Sequence, residues 1–211
     1  MRIVLDLQGS QTESRFRGIG RYSLSLAKAI VRNRGNHDVI IALNGLFPET
    51  IEAIKAAFDQ ILPQENIKIW YAPGPVSAIN PENKGRRKVG ELIREAFLLN
   101  LNPDIVHVLS LFEGWGDDAI TSIGAFSLNL PTVTTLYDLF PLASPEEDLK
   151  SSPLWKQFYM EKISYLKKSL MLLAISDFTA TEGRRLLAKS SDDVVSISAG
   201  YDDFFKKNRY S

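Results

Sequence analysis

The chain has 211 residues, with 25 Lys plus Arg against 25 Asp plus Glu, so its formal net charge is zero. That length suits one large domain or two small ones, and 45% hydrophobic with 24% charged residues excludes a disordered tail or a low-complexity array. Zero net charge argues against a duplex nucleic-acid partner, and zero cysteine excludes a disulfide framework, a thiolate zinc site and a cysteine nucleophile.

The opening segment MRIVLDLQGS does not read as a secretory signal, because Asp6 interrupts its short apolar run. Ile3 to Leu7 is predicted as a buried strand ending at Gly9, followed by a polar loop from Ser10 to Arg17. Gly18-Ile19-Gly20-Arg21 then leads into Tyr22, Leu26, Ala27, Ile30 and Val31, whose spacing predicts an amphipathic helix stopped by Asn33 to Asn36. The alternation repeats along the chain. Strands are predicted at His37–Leu43, Asn66–Tyr71, Pro103–Leu109, Thr132–Leu136, Leu172–Ile175 and Val194–Ile197. Helices are predicted at Pro48–Ile61, Pro81–Leu101, from Trp155 to Leu170, and at Phe178–Leu187. No stretch approaches the ~18 apolar residues of a membrane span. Strands alternating with helices pair in parallel through right-handed crossovers, so the fold class is α/β with a doubly wound, Rossmann-like parallel sheet. Residues 1–200 form that domain, and 201–211 read as an exit segment.

Ligands of such sheets bind beyond the carboxyl ends of the strands. Gly18 and Gly20 stand at the mouth of a helix, where free amides and the dipole favour an anion, with Arg15, Arg17 and Arg21 nearby. The same residues can merely turn a loop and be solvated, and the pattern alone leaves both readings open. Ser110 to Asp118 places Phe112 and Trp115 beside Glu113, Asp117 and Asp118, a set suited to a sugar; Asp117 and Asp118 also suit the start of a helix. Ser176-Asp177 reads as a helix cap. His107 reads as a buried, hydrogen-bonded histidine and His37 as a surface residue. The run Lys84, Arg86, Arg87, Lys88, Glu91, Arg94 and Glu95 reads mainly as a solvated helix face, with contact to anionic lipid or to an acceptor phosphate as the alternative.

Two nucleotide motifs are missing. A dinucleotide fingerprint needs glycine where Ser23 stands and an acid where Asn44 stands, and Gly-Lys-Ser/Thr occurs nowhere. There is no Asp-x-Asp pair and only two histidines, so no metal or other cofactor is expected.

Taken in order, the strand Arg2 to Gly9, the Gly18-Ile19-Gly20-Arg21-Tyr22 loop, Ser110-Leu111-Phe112-Glu113-Gly114, Tyr137-Asp138-Leu139-Phe140-Pro141 and Ile175-Ser176 resemble the start of glycosyltransferase family 4 proteins. The nearest likeness is to mannosyltransferase-like enzymes of O-antigen and polysaccharide assembly. The resemblance implies one half of a GT-B architecture: an acceptor-side domain whose absent carboxyl-terminal partner holds the nucleotide-sugar. It implies a retaining hexosyltransferase, with mannose a candidate sugar and a glycan or lipid-linked acceptor, cytoplasmic and in peripheral contact with a membrane. It assigns Gly18, Gly20 and Arg21 to the donor diphosphate, Glu113 and Trp115 to the acceptor, and Tyr137 and Asp138 to the reacting centre. Tyr137 departs from the family's frequent His, and a phenol is a poor base at neutral pH. The alternative is a self-contained, non-catalytic sugar- or nucleotide-binding module.

Overall fold

The computed structural model describes residues 1–126, 130–150 and 152–200. Seven strands form one sheet: β1 (Arg2–Asp6), β2 (Asp38–Asn44), β3 (Ile67–Trp70), β4 (Ile105–Val108), β5 (Thr132–Leu136), β6 (Met171–Ala174) and β7 (Val194–Ser196). Their order is β3-β2-β1-β4-β5-β6-β7, and every neighbouring pair is parallel. The branched, uninterrupted apolar runs explain this, since a parallel strand is covered on both faces. In β2, six of the seven residues are buried.

Alternate residues of each strand face opposite layers. Leu5, Leu7, Ile41 and Leu43 pack under α1 (Gly18–Arg32) and α2 (Pro48–Phe58). Val4, Ala42, Val106 and Val108 pack under α3 (Lys84–Asn100), and the same cluster takes in Tyr159, Ile163 and Leu166 of α6 (Pro153–Lys168). Two short helices, α4 (Phe140–Ala143) and α5 (Pro145–Asp148), occupy the stretch after β5 that reads as loop, and α7 (Asp177–Leu187) packs beside β6 and β7. Ser176 caps α7 as expected, its hydroxyl accepting from the Thr179 amide at 3.1 Å. The elements expected from the sequence are present, with shifted ends. α2 stops at Phe58 rather than Ile61, because Asp59 swings to an extended ψ of 144° and Gln60 follows with a positive φ of 65°.

One expectation is corrected. The charged run on α3 is a solvated face only at its start: Lys84 and Arg86 are exposed, but Glu91, Arg94 and Glu95 are buried. The Arg94 guanidinium grips the Asp6 carboxylate through Nε at 2.8 Å and through Nη2, and donates from Nη1 to the Ser122 carbonyl at 2.9 Å. Glu95 accepts from the Ser122 hydroxyl and from the amides of Ala125 and Phe126. The inner side of α3 is polar because it faces a loop full of backbone donors and acceptors, which must be paired once buried. The exit segment 201–211 lies outside the described residues.

Candidate functional site at the carboxyl edge of the sheet

From β1 the chain winds outward to β2 and β3, and from β4 it winds the other way to β5, β6 and β7. The winding therefore reverses between β1 and β4, and their following loops flank the crevice where such sheets take ligands. A buried polar network builds its floor. The Gln8 amide donates to both Asp6 carboxylate oxygens at 3.1 Å and to the Ile120 carbonyl at 2.7 Å, and its oxygen accepts from Asn44 and the Ile120 amide. The Gln11 side chain closes the other side of Asn44, accepting from its amide and donating to its carbonyl.

Glu113 ties the two loops together. Its carboxylate accepts from Ser110 at 2.7 Å, Thr12 at 2.9 Å and Ser14 at 3.1 Å, and the residue is 7% exposed. Burial pushes its carboxyl above the usual range, and the three hydroxyl donors oppose that. Trp115 does not stand alone as a platform: it packs edge-on against Trp155 at 5.2 Å and against Phe158 at 5.5 Å. Asp117 and Asp118 start no helix, which corrects the capping alternative. Asp117 accepts from the Ala119 amide, and Asp118 accepts from the amides of Val76 and Ser77, fixing the 76–80 strap. That loop is held from below by Lys162, buried on α6, whose ammonium donates to the Thr121 carbonyl at 2.6 Å and hydroxyl at 2.5 Å. Burial brings this amine down to about 8.

The two glycines of the first loop differ in kind. A Cβ on Gly20 would lie 2.3 Å from the Ser14 carbonyl oxygen and 2.5 Å from the Arg15 nitrogen, so glycine there lets α1 press onto the turn at residues 13–16. A Cβ on Gly18 would meet nothing within 4 Å. Gly18 is exposed at the start of α1, which Arg17 precedes without a side-chain cap. Arg15 is engaged, donating to the Gln11 carbonyl and lying over the Phe16 ring at 4.4 Å. Arg17 and Arg21 are exposed and form no ion pair among the described residues.

Across the crevice, the Tyr137 hydroxyl sits 2.9 Å from the Ser23 hydroxyl of α1, and its ring meets Tyr22 edge-on at 5.8 Å. Burial pushes the phenol well above its ordinary value. Asp138 is exposed and accepts from the Phe140 amide at 3.2 Å. The structure thus brings Gly18, Gly20, Arg21 and Tyr137 together at the start of α1, joins Glu113 to the same loop through Ser14, and leaves Trp115 on the α6 side. His107 is buried and bonded to Thr135 at 2.9 Å, and His37 is exposed. Sequence reasoning missed Gln8, Gln11, Asn44, Thr12 and Ser23. Polar residues directly after two apolar strand runs were the available signal for Gln8 and Asn44. Among the described residues, no group of three or more His, Asp and Glu is placed to hold a metal ion, and no helix is long and apolar enough to cross a membrane.

Fold and strand order define a doubly wound Rossmann-like domain, with its winding reversed between β1 and β4. No protein-family model matches the chain. It is 36% identical over 212 residues to the serotype-specific mannosyltransferase WbdA of Escherichia coli, an alignment spanning 100% of this chain and 25% of that one. A second Escherichia coli WbdA is 35% identical over 187 residues, 88% of this chain and 23% of the relative. The chain therefore spans about a quarter of the length of the curated relatives it matches. Among solved structures, Arabidopsis thaliana UGT89C1 complexed with UDP shares the fold with a TM-score of 0.50 and 9% identity, over 93% of this chain and 48% of that chain. The resemblance to mannosyltransferase-like enzymes read from the sequence is borne out.

Proposed function

We propose that the chain is the amino-terminal, acceptor-side domain of a retaining hexosyltransferase with two Rossmann-like halves, which moves mannose from a nucleotide-sugar to a glycan or lipid-linked acceptor in the cytoplasm. The observation that carries this reading is similarity to a mannosyltransferase along the whole chain, in a fold that places an uncapped helix start after β1, beside the β1/β4 reversal. In this reading, Gly18 offers its amide and Arg21 its guanidinium to the leaving diphosphate when a donor-binding domain closes over them. Fixed donors aimed at developing charge supply the main electrostatic stabilisation. Gly20 serves from inside, setting the helix start at the right depth. Tyr137 orients the reacting group rather than accepting its proton, because its hydroxyl is already shared with Ser23 and burial opposes its ionisation. Asp138, exposed at the rim, faces the sugar hydroxyls. Glu113 holds Thr12 and Ser14 in place, and Trp115 forms the far wall toward the acceptor. A peripheral membrane contact would use the exposed Arg86, Val89 and Leu92 of α3.

The test is Arg21→Ala in the full-length protein, assayed for nucleotide-sugar-dependent transfer. Because Arg21 is exposed and makes no ion pair among the described residues, thermal stability is expected to stay unchanged while kcat/KM falls at least about tenfold, the scale of one lost charge-assisted hydrogen bond. Unchanged kinetics would remove Arg21 from the site. Brisk transfer by the 211-residue chain alone would overturn the reading of it as half an enzyme.

A further inference from the structure

Away from the β1/β4 crevice, a cavity of about 180 Å³ opens between the 78–81 strap, the start of α3 and the start of α6. Asn80, Lys84, Arg87 and Gln157 bring polar groups to it, over an apolar floor that includes Leu154 and Phe158. The balance of its chemistry is donors without matching acceptors. The Asn80 carbonyl oxygen is taken by the Glu82 amide, which leaves its NH₂ to donate. The Arg87 Nε is buried beneath the surface without a hydrogen-bond partner among the described residues, while Arg87 itself lines the cavity with its positive charge. Arg87 reaches Glu161 only at 3.3 Å, while Glu161 is held at 2.5 Å by Lys88. Lys84 makes no ion pair among the described residues, and Lys156 lies on the first turn of α6, next to Gln157. The amino-terminal ends of α3 and α6, whose dipoles favour negative charge, both border the cavity. The acids close at hand are Glu161, already shared by two cations, and the exposed Glu82.

The strap also joins this cavity to the wall assigned to the acceptor. The Ala78 amide donates to the Gly114 carbonyl at 2.9 Å, and the Ile79 amide to the Trp115 carbonyl at 2.8 Å. The volume is below the ~300 Å³ of a pocket for a whole drug-sized ligand, so it takes one group of a larger molecule. We propose that this cavity is an acceptor subsite for the phosphoryl group of a sugar phosphate, with Lys84, Asn80 and Gln157 donating to its oxygens and the Arg87 guanidinium adding positive charge. The inference rests on the acceptor-side reading of this domain. It adds that the acceptor bears a phosphate ester, either as a free sugar phosphate or on a lipid carrier.

The test titrates the 211-residue chain with mannose 1-phosphate, mannose and inorganic phosphate, followed by amide chemical shifts, and repeats it with Lys84→Ala and Gln157→Ala. Saturable shifts confined to residues 78–87 and 154–158 are expected with mannose 1-phosphate. Binding should be at least tenfold weaker for mannose, and at least fivefold weaker for mannose 1-phosphate in Lys84→Ala, whose melting temperature should match the parent. No saturable shift there, or equal affinity in both variants, would overturn the proposal. Inorganic phosphate binding as tightly as the sugar phosphate would overturn its acceptor part. A vesicle arm separates the sources: co-sedimentation with neutral vesicles carrying mannosyl-phospho-prenol, above neutral vesicles alone, supports the lipid-linked form, and equal co-sedimentation with soluble binding intact supports the free one. Binding to anionic phospholipid vesicles that is lost in Lys84→Ala, with no mannose 1-phosphate binding, reassigns the patch to a membrane contact and overturns the proposal. None of these arms needs donor or turnover, so their failure leaves the Arg21 result standing, and an inactive full-length protein leaves the cavity standing.

Discussion

Two alanine substitutions in the first turn of α1 should have opposite effects on stability. At position 20 the new methyl carbon would sit 2.3 Å from the Ser14 oxygen and 2.5 Å from the Arg15 nitrogen, both backbone atoms that cannot swing aside. Either α1 or the turn at residues 13–16 must move by several tenths of an ångström or more. Overpacking of that kind costs typically 1–3 kcal/mol, and rigid backbone on both sides places Gly20→Ala at about 2–3 kcal/mol. For a chain of this size each kcal/mol lowers the melting temperature by about 2–4 °C, so a drop of about 4–12 °C is expected. At position 18 nothing lies within 4 Å, and Ala is the better helix former by up to about 1 kcal/mol. Gly18→Ala should therefore melt at or slightly above the parent temperature. Calorimetry of the three proteins side by side settles it. A Gly20→Ala protein as stable as the parent would refute the close approach of α1 to the turn, and with it the account of why glycine is needed. In full-length enzyme, any loss of activity in Gly18→Ala is then a loss at the helix mouth and not a loss of fold.

Other outcomes follow from the same geometry. Asp6→Asn leaves the Arg94 guanidinium, 1% exposed, without its counter-charge, and breaking a buried pair on one side costs about 3–5 kcal/mol, read as a lower urea midpoint; a shift worth under about 1 kcal/mol would mean the pair is not buried in solution. Burial brings the His107 imidazole from its ordinary 6.5 down to about 4, so the unfolded chain takes up a proton first as pH falls. That contribution to stability is fully present above about pH 6.5 and is lost between there and about pH 4, by roughly 3 kcal/mol. Urea titrations of His107→Gln across that window should show a flatter slope, and an unchanged slope would place the acid-labile group elsewhere. Tyr137→Phe keeps the ring against Tyr22 and deletes the bond to Ser23, at a cost of about 1 kcal/mol. In full-length enzyme it should retain turnover within about tenfold, and a loss of several orders of magnitude would make the phenol a proton carrier.

Much of the fold was legible because parallel strands buried on both faces are continuous apolar runs, and covering helices carry an apolar stripe. Ile3-Val4-Leu5 and Val39-Ile40-Ile41-Ala42-Leu43 needed nothing beyond their own composition. The polar residues were harder to place. Glu91, Arg94 and Glu95 have the spacing of a solvated face, yet they are buried, because partners such as Tyr165 for Glu91, Asp6 for Arg94, and Ser122 with the amides of residues 125 and 126 for Glu95 come from segments 27 or more residues away. Periodicity reports which side of a helix is polar, and it carries no information on whether that side meets water or a loop.

The same division runs through the site. Sequence alone determined the alternating elements, the parallel sheet and the gathering of glycine, arginine and acidic residues after the strands, since those follow from local spacing and chain connectivity. Tertiary structure decided what each residue does. It set the strand order, and so put the reversal between β1 and β4. It separated Gly20, required by backbone crowding, from Gly18, open at the helix mouth. It turned Glu113 into the clamp between two loops and drew Trp115 into an aromatic cluster with α6. Those roles depend on atoms brought within a few ångströms from distant parts of the chain, and only packing the two helix layers onto the sheet brings them there.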